Sequence, residues 1–117
     1  MSLDTGTPLI PEARTQGDAL VCQLAGDLTI VNAPELRTAL SQLVTANKPS
    51  RLILNFGGIK YIDSGALGVL IETRKEMTRL NGTVTLTDLG TEVQGLIRIM
   101  KLDAVFEIAE TEAAALA

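Results

Sequence analysis

A single serine, Ser64, stands where an apolar segment gives way to a segment with helical periodicity. Arg51–Phe56 is typical of a buried strand, and the segment from Ser64 to about Leu80 has apolar residues near helical spacing. A serine at the beginning of a helix can accept a hydrogen bond from a free backbone N–H, and the N–H groups there favour an anion together with the helix dipole. We therefore predict that Ser64 is the functional centre of the chain.

The residue types exclude the common forms of nucleophilic catalysis. The chain has no histidine and one cysteine, whereas Ser-His-Asp and Cys-His catalysis both need an imidazole base. The positions two residues before and after Ser64 hold Ile62 and Ala66, not the glycines of a nucleophile elbow. The sequence contains neither glycine-rich phosphate-binding motif, and one cysteine without histidine provides no soft-metal site. We predict that the protein is not an enzyme and binds neither a metal nor a cofactor.

The composition indicates one domain with an aliphatic core. The chain has 117 residues, of which 46% are hydrophobic, with two phenylalanines, one tyrosine and no tryptophan. A chain of this length can bury roughly two-thirds of the surface that its unfolded form exposes. The net charge is −4 and the basic residues are scattered, so the positive surface of a nucleic-acid-binding protein is not expected.

Cysteine use and hydropathy predict the cellular compartment. Cys22 alternates with Leu20 and Leu24, which indicates a buried thiol in a reducing environment. No apolar run approaches the ~18 residues of a membrane span, and no basic and apolar leader is present. We expect a cytoplasmic protein without direct membrane insertion, in which residues 1–8 are a flexible lead-in and residues 9–117 form the domain.

Strand and helix patterns alternate along the chain, which predicts an α/β fold. Thr83–Thr87 has an outward threonine face, which suggests an edge or a thinly covered position in the sheet. Asn32 and Glu35 resemble an N-cap and a capping box. The predicted strands are Leu9–Ile10, Ala19–Ala25, Arg51–Phe56, Thr83–Thr87 and Val105–Ile108. The predicted helices are Ala33–Ala46, Ser64–Leu80, one opened by Thr91 and Gln94, and an alanine-rich one from Thr111.

The strand, the run Asp63-Ser64-Gly65-Ala66-Leu67-Gly68 and the following helix together resemble the anti-sigma factor antagonists, the stand-alone form of the STAS domain. The resemblance covers nearly the whole chain and implies a STAS-like single domain, with a mixed β-sheet of four to five strands and about four helices. It implies that Ser64 is a phosphorylation site. It also implies a partner, an anti-sigma factor serine kinase, which the unphosphorylated form binds, so that a sigma factor is released. Phosphorylation would break that complex, and a phosphatase would reset it.

The same resemblance suggests which residues face the partner. Around the serine these are Asp63, Ser64, Gly65, Gly68 and Val69. In the turn after the second strand they are Asp27 and Thr29. For Asp27, the alternative is an ordinary turn residue without a partner contact. Gly65 and Gly68 either leave room for a partner near Ser64, or serve the fold, with Gly68 packed on the sheet and Gly65 easing the turn.

Two further functions remain open from the sequence. The chain could be a STAS subunit that docks to a membrane transporter through the same helix without phosphorylation. It could also be part of a larger signalling scaffold.

Overall fold

A computed structural model describes residues 2–117 and contains a five-stranded sheet. The strands, in their order across the sheet, are β1 (Glu12–Gln16), β2 (Ala19–Leu28), β3 (Arg51–Ile62), β4 (Thr83–Thr87) and β5 (Glu107–Ala109). β1 is antiparallel to β2, and the other neighbouring strands are parallel. The helices are α1 (Ala33–Asn47), α2 (Ser64–Arg79), α3 (Thr91–Ile99) and α4 (Glu112–Leu116), and a 3₁₀ turn at Leu102–Ala104 precedes β5. The predicted α/β fold, with a mixed sheet of four to five strands and about four helices, is confirmed.

The helices cover the two faces of the sheet unequally. Successive side chains of a strand point to opposite faces. On one face, β2, β3 and β4 pack against α1, α2 and α3 in a large aliphatic core around Phe56. On the other face, Val21 and Ile53 pack against Ala115 and Leu116 of the short helix α4. In the part of the chain that the structure describes, no helix is long and apolar enough to cross a bilayer.

Cys22 lies on the core face of β2 and is fully buried, as the alternation of its strand predicted. Burial raises the pKa of the thiol to about 12, because the thiolate would lose its hydration. The thiol therefore stays protonated at neutral pH and behaves as a small apolar side chain.

Three local predictions are wrong. Leu9 and Ile10 are buried, but they lie in a turn before β1, so their apolar character reflects packing alone. β4 is an internal strand between β3 and β5, so the edge position is wrong, whereas its partly exposed threonine face fits the thinly covered position. The Asn32 side chain does not cap α1, and Glu35 accepts a hydrogen bond from the Thr7 hydroxyl, so no capping box forms.

Residues 2–8 form neither helix nor strand but contact the domain. The Leu3 N–H donates to the Ala13 carbonyl at 2.7 Å, and Thr7 is buried. Met1 lies outside the described residues. The division of the chain at residue 8 stays a prediction.

Candidate functional site

Ser64 is the first residue of α2, and its side chain is exposed. Asp63, not Ser64, is the N-cap: its extended backbone precedes the helix, and its Oδ1 accepts a hydrogen bond from the Ala66 N–H at 3.0 Å. The Asp63 N–H in turn donates to the Leu28 carbonyl at the end of β2, at 3.0 Å. Because Asp63 performs the capping, the Ser64 hydroxyl projects from the first turn of the helix and is accessible to another protein.

Asp63 also joins two loops. Its second oxygen, Oδ2, accepts the Ile30 N–H at 2.9 Å, so one carboxylate connects the β2–α1 loop to the N-terminus of α2. The backbone N–H groups of Ala66 and Ile30 hold the pKa of Asp63 below its ordinary value, because they stabilise the charged form. Asp63 was predicted to face a partner. The structure gives it an internal positioning role, and a direct partner contact stays a prediction.

Gly65 permits a close approach of the β2–α1 loop to the N-terminus of α2. A Cβ at Gly65 would lie 2.6 Å from Ile30 Cδ1 and 2.9 Å from Ile30 Cα, which is closer than real Cβ contacts. At Gly68, by contrast, a Cβ would meet nothing within 4 Å. The alternative in which Gly68 packs on the sheet is therefore wrong, and Gly65 is the glycine that the packing requires.

The β2–α1 loop is held by its own polar side chains. Asn32 Oδ1 accepts the Thr29 N–H at 2.8 Å, and Asn32 Nδ2 donates to the Asp27 carbonyl at 2.7 Å. The Thr29 hydroxyl accepts the Val31 N–H at 3.2 Å. Thr29 thus shapes the loop, while the Asp27 side chain is exposed. Contact of Asp27 or Thr29 with a partner stays a prediction.

The loop presents two apolar side chains that were not among the predicted site residues. Ile30 is 67% exposed and Val31 is 86% exposed. The sequence did contain a signal for this patch: two adjacent β-branched apolar residues in a turn between a strand and a helix, where polar residues are usual. We call the patch formed by Ile30, Val31, Ser64, Gly65 and Gly68 the Ser64 surface.

Val69 does not belong to this surface. It is fully buried, as are its neighbours Ala66, Leu67 and Leu70. α2 is covered by α1 as well as by the sheet, so its buried face is wider than one stripe. The prediction that Val69 contacts a partner is therefore wrong for the folded chain.

The described residues also bear on metal binding. Within residues 2–117, no group of three or more His, Cys, Asp or Glu side chains is arranged to hold a metal ion. The Ser64 surface is apolar apart from one hydroxyl. Its chemistry suits contact with another protein.

We expect Asp63→Asn to destabilise the fold at neutral pH and to have a smaller effect in acid. The amide replaces one accepting oxygen with a donor, so it cannot serve both the Ile30 and the Ala66 N–H. Because the folded pKa of Asp63 is lowered, its contribution is present above the unfolded pKa and disappears as the pH falls through the folded value.

Urea unfolding of the wild type and Asp63→Asn at pH 7 and pH 3 measures this effect. Asp103→Asn, at an exposed position on the 3₁₀ turn, is the control for loss of a charge. If the free energies of unfolding of Asp63→Asn and the wild type differed by the same amount at both pH values, the role assigned to the Asp63 carboxylate would be contradicted.

The chain is similar to known proteins over most of its length. The family model described as the STAS domain matches residues 11–115. BtrV of Bordetella bronchiseptica, a candidate anti-sigma factor antagonist, is 28% identical over 98 residues, which cover 84% of this chain and 84% of that protein. The crystal structure of a candidate anti-sigma factor antagonist from Thermotoga maritima has a TM-score of 0.85 at 20% identity, covering 93% of this chain and 92% of that chain. The phosphorylated form of the Bacillus cell fate determinant SpoIIAA has a TM-score of 0.67 at 19% identity, covering 89% of this chain and 94% of that chain.

Proposed function

The chain belongs to the STAS domain family, and from this premise we propose that it is a phosphorylation-controlled antagonist of an anti-sigma factor. In this proposal the unphosphorylated protein binds an anti-sigma factor serine kinase in the cytoplasm and thereby frees a sigma factor. The kinase then phosphorylates Ser64, which ends the interaction, and a phosphatase restores it. The protein itself acts as a binding module and not as an enzyme.

One observation carries the proposal: the exposed Ser64 hydroxyl lies beside an exposed apolar loop that is fixed to the same helix end. Asp63 and Gly65 hold Ile30 against the first turn of α2, so the apolar loop and the serine form one surface. The buried centre of a protein interface is more apolar than its polar rim. A modification of Ser64 therefore falls within reach of any protein that covers Val31.

The fold can accept a phosphate at this position. A phosphate adds about −1.5 to −2 charges, and the N-terminus of a helix carries a partial positive charge that offsets them. Ser64 is exposed and needs no rearrangement to carry the group. The phosphorylated form of SpoIIAA provides a precedent among proteins of the same fold. We therefore place the effect of phosphorylation at the interface with the partner.

We expect Val31→Asp to fold normally and to bind the anti-sigma factor at least about tenfold more weakly, because an apolar contact at the centre of an interface is replaced by a charge. Val31 is 86% exposed, so the fold loses little packing. Isothermal titration calorimetry with the purified anti-sigma factor of the same organism measures the affinity. Thr45→Asp, which adds the same charge at an exposed position near the other end of α1, is the control. Equal affinities for Val31→Asp and the wild type would remove the loop from the interface.

The experiment that tests the proposal is phosphorylation by such a kinase with ATP, followed by intact-protein and peptide mass spectrometry. We expect one phosphate on Ser64 and none in Ser64→Ala, with the other serines, Ser2, Ser41 and Ser50, unmodified. A kinase that phosphorylates its known antagonist but leaves this protein unmodified would overturn the phosphorylation step. Co-purification of the unmodified protein with a membrane transporter would then favour the docking-subunit function.

A further inference from the structure

Residues 3–10, which we call the N-terminal segment, are held in place by hydrogen bonds although they form neither helix nor strand. The Thr5 hydroxyl donates to the Ile10 carbonyl at 2.5 Å, and the Leu9 N–H donates to the Thr7 hydroxyl at 3.1 Å. Ile10 is fully buried, and Thr7 and Leu9 are each only 9% exposed. The N-terminal segment is therefore packed against the domain, so its contacts can position other elements.

The N-terminal segment bonds to both flanks of the β2–α1 loop. On one flank, the Leu9 carbonyl accepts the Ala25 N–H of β2 at 2.9 Å. On the other flank, the Thr7 hydroxyl donates to Oε2 of Glu35, which lies in the first turn of α1. Because the Leu9 N–H also donates to the Thr7 hydroxyl, these bonds connect the end of β2 with the beginning of α1. The exposed residues of the loop lie between these two points.

Neither flank is firmly held by the regular structure of its own element. The pairing of β2 with β3 shifts register between Gln23 and Ala25, and again between Gly26 and Leu28. α1 begins without a side-chain cap, because Asn32 uses its side-chain oxygen and nitrogen within the loop. A bulge disrupts the ladder of a strand locally, and helix ends fray. The N-terminal segment therefore supplies a restraint that both flanks otherwise lack.

We propose that Thr7 is a positioning residue that, through Leu9 and Glu35, holds the β2–α1 loop in the conformation that binds the partner. This inference rests on the proposed function, because it takes the Ser64 surface as the binding surface. The buried Thr7 side chain does not itself contact a partner. If the loop is in the binding conformation for only part of the time, the affinity is reduced by that fraction. Loss of the Thr7 hydroxyl should therefore weaken partner binding indirectly.

Amide hydrogen exchange of the free protein, measured by NMR, tests the positioning without a partner. The Ile30 and Ala33 N–H groups report on the loop, since they donate to Asp63 Oδ2 and to the Thr29 carbonyl. Thr7→Val replaces the hydroxyl with a methyl group, and exchange of both amides should become about fivefold faster or more, because the loop opens locally. Thr7→Ser retains the hydroxyl and should exchange like the wild type.

Two further variants separate local positioning from stability. Ile53→Val removes a methyl group on the other face of the sheet, so it lowers stability and should leave the Ile30 amide unchanged. Glu35→Ala removes only the acceptor at an exposed position, and should accelerate exchange of the Ile30 amide about twofold or more. Because Thr7→Val already breaks the bond to Glu35, the combined variant should exchange no faster than Thr7→Val alone. Glu92→Ala, in the first turn of α3, is the control for loss of the charge.

Isothermal titration calorimetry with the anti-sigma factor measures the effect on binding. We expect Thr7→Val to bind about threefold more weakly or worse, and Thr7→Ser and Ile53→Val to bind like the wild type. Unchanged exchange in Thr7→Val, or an equal acceleration in Ile53→Val, would overturn the positioning role. Faster exchange with unchanged affinity would overturn its connection to binding. If the wild type bound no anti-sigma factor while Thr7→Val exchanged faster, the proposed function would be overturned and the positioning of the loop supported.

Discussion

Gly65→Ala is expected to lower stability and to weaken partner binding, whereas Gly68→Ala, three residues later in the same helix, is expected to raise stability. A methyl group at Gly65 would lie 2.6 to 2.9 Å from three atoms of Ile30, including its Cα. The β2–α1 loop must then move, and overpacking of this kind costs about 1–3 kcal/mol. A methyl group at Gly68 meets no atom within 4 Å, so the substitution gains up to about 1 kcal/mol of helix propensity.

Chemical denaturation of the two variants and the wild type measures the difference, and calorimetric titration with the anti-sigma factor measures the binding. Combining Gly65→Ala with Ile30→Ala should not restore the loop, because Ile30 Cβ and Cα, at 2.8 and 2.9 Å, remain in the way. If Gly65→Ala were as stable as Gly68→Ala and bound the partner like the wild type, the close approach of Gly65 and Ile30 would have no role in the surface.

The contrast between these glycines shows where sequence reasoning reached its limit. The two glycines look alike in the sequence, since both lie early in a predicted helix. Their difference depends on Ile30, which is distant in the chain and reaches Gly65 only because Asp63 ties the loop to α2. Such a contact has no local pattern, so it could not be predicted from periodicity or propensity.

Features defined by neighbouring residues were predicted well. The beginning of α2 at Ser64 follows from the change of periodicity after the buried strand, and the structure begins the helix at that residue. The extent of burial on α2 depends on distant elements. Val69 was predicted to face a partner, but it is fully buried, because α1 covers α2 as well as the sheet does. The position of β4 inside the sheet likewise depends on the order of the strands, which its alternating threonines do not encode.

Phosphorylation of Ser64 is expected to reduce affinity for the anti-sigma factor by on the order of 100-fold or more, equivalent to about 3 kcal/mol. The reason is desolvation: a partner that covers Val31 and the first turn of α2 would have to bury a charged phosphate without a counter-charge, which costs several kcal/mol. Asp63, whose pKa is lowered, is ionised beside the phosphate and adds to the negative charge. Ser64→Asp should show the same loss to a smaller degree, since it carries one charge, and Ser64→Ala should bind like the wild type.

Stability and affinity must be measured together, because phosphorylation is proposed to act at the interface and not on the fold. Thermal unfolding of Ser64→Asp should match the wild type, since the new carboxylate lies at the positive end of α2. Ser41→Asp, at an exposed position on α1, should leave both stability and affinity unchanged. Tight binding of the singly phosphorylated protein would separate Ser64 from the interface. The apolar loop would then remain a docking surface without a switch, because Asp63 and Gly65 hold Ile30 in place irrespective of the state of Ser64.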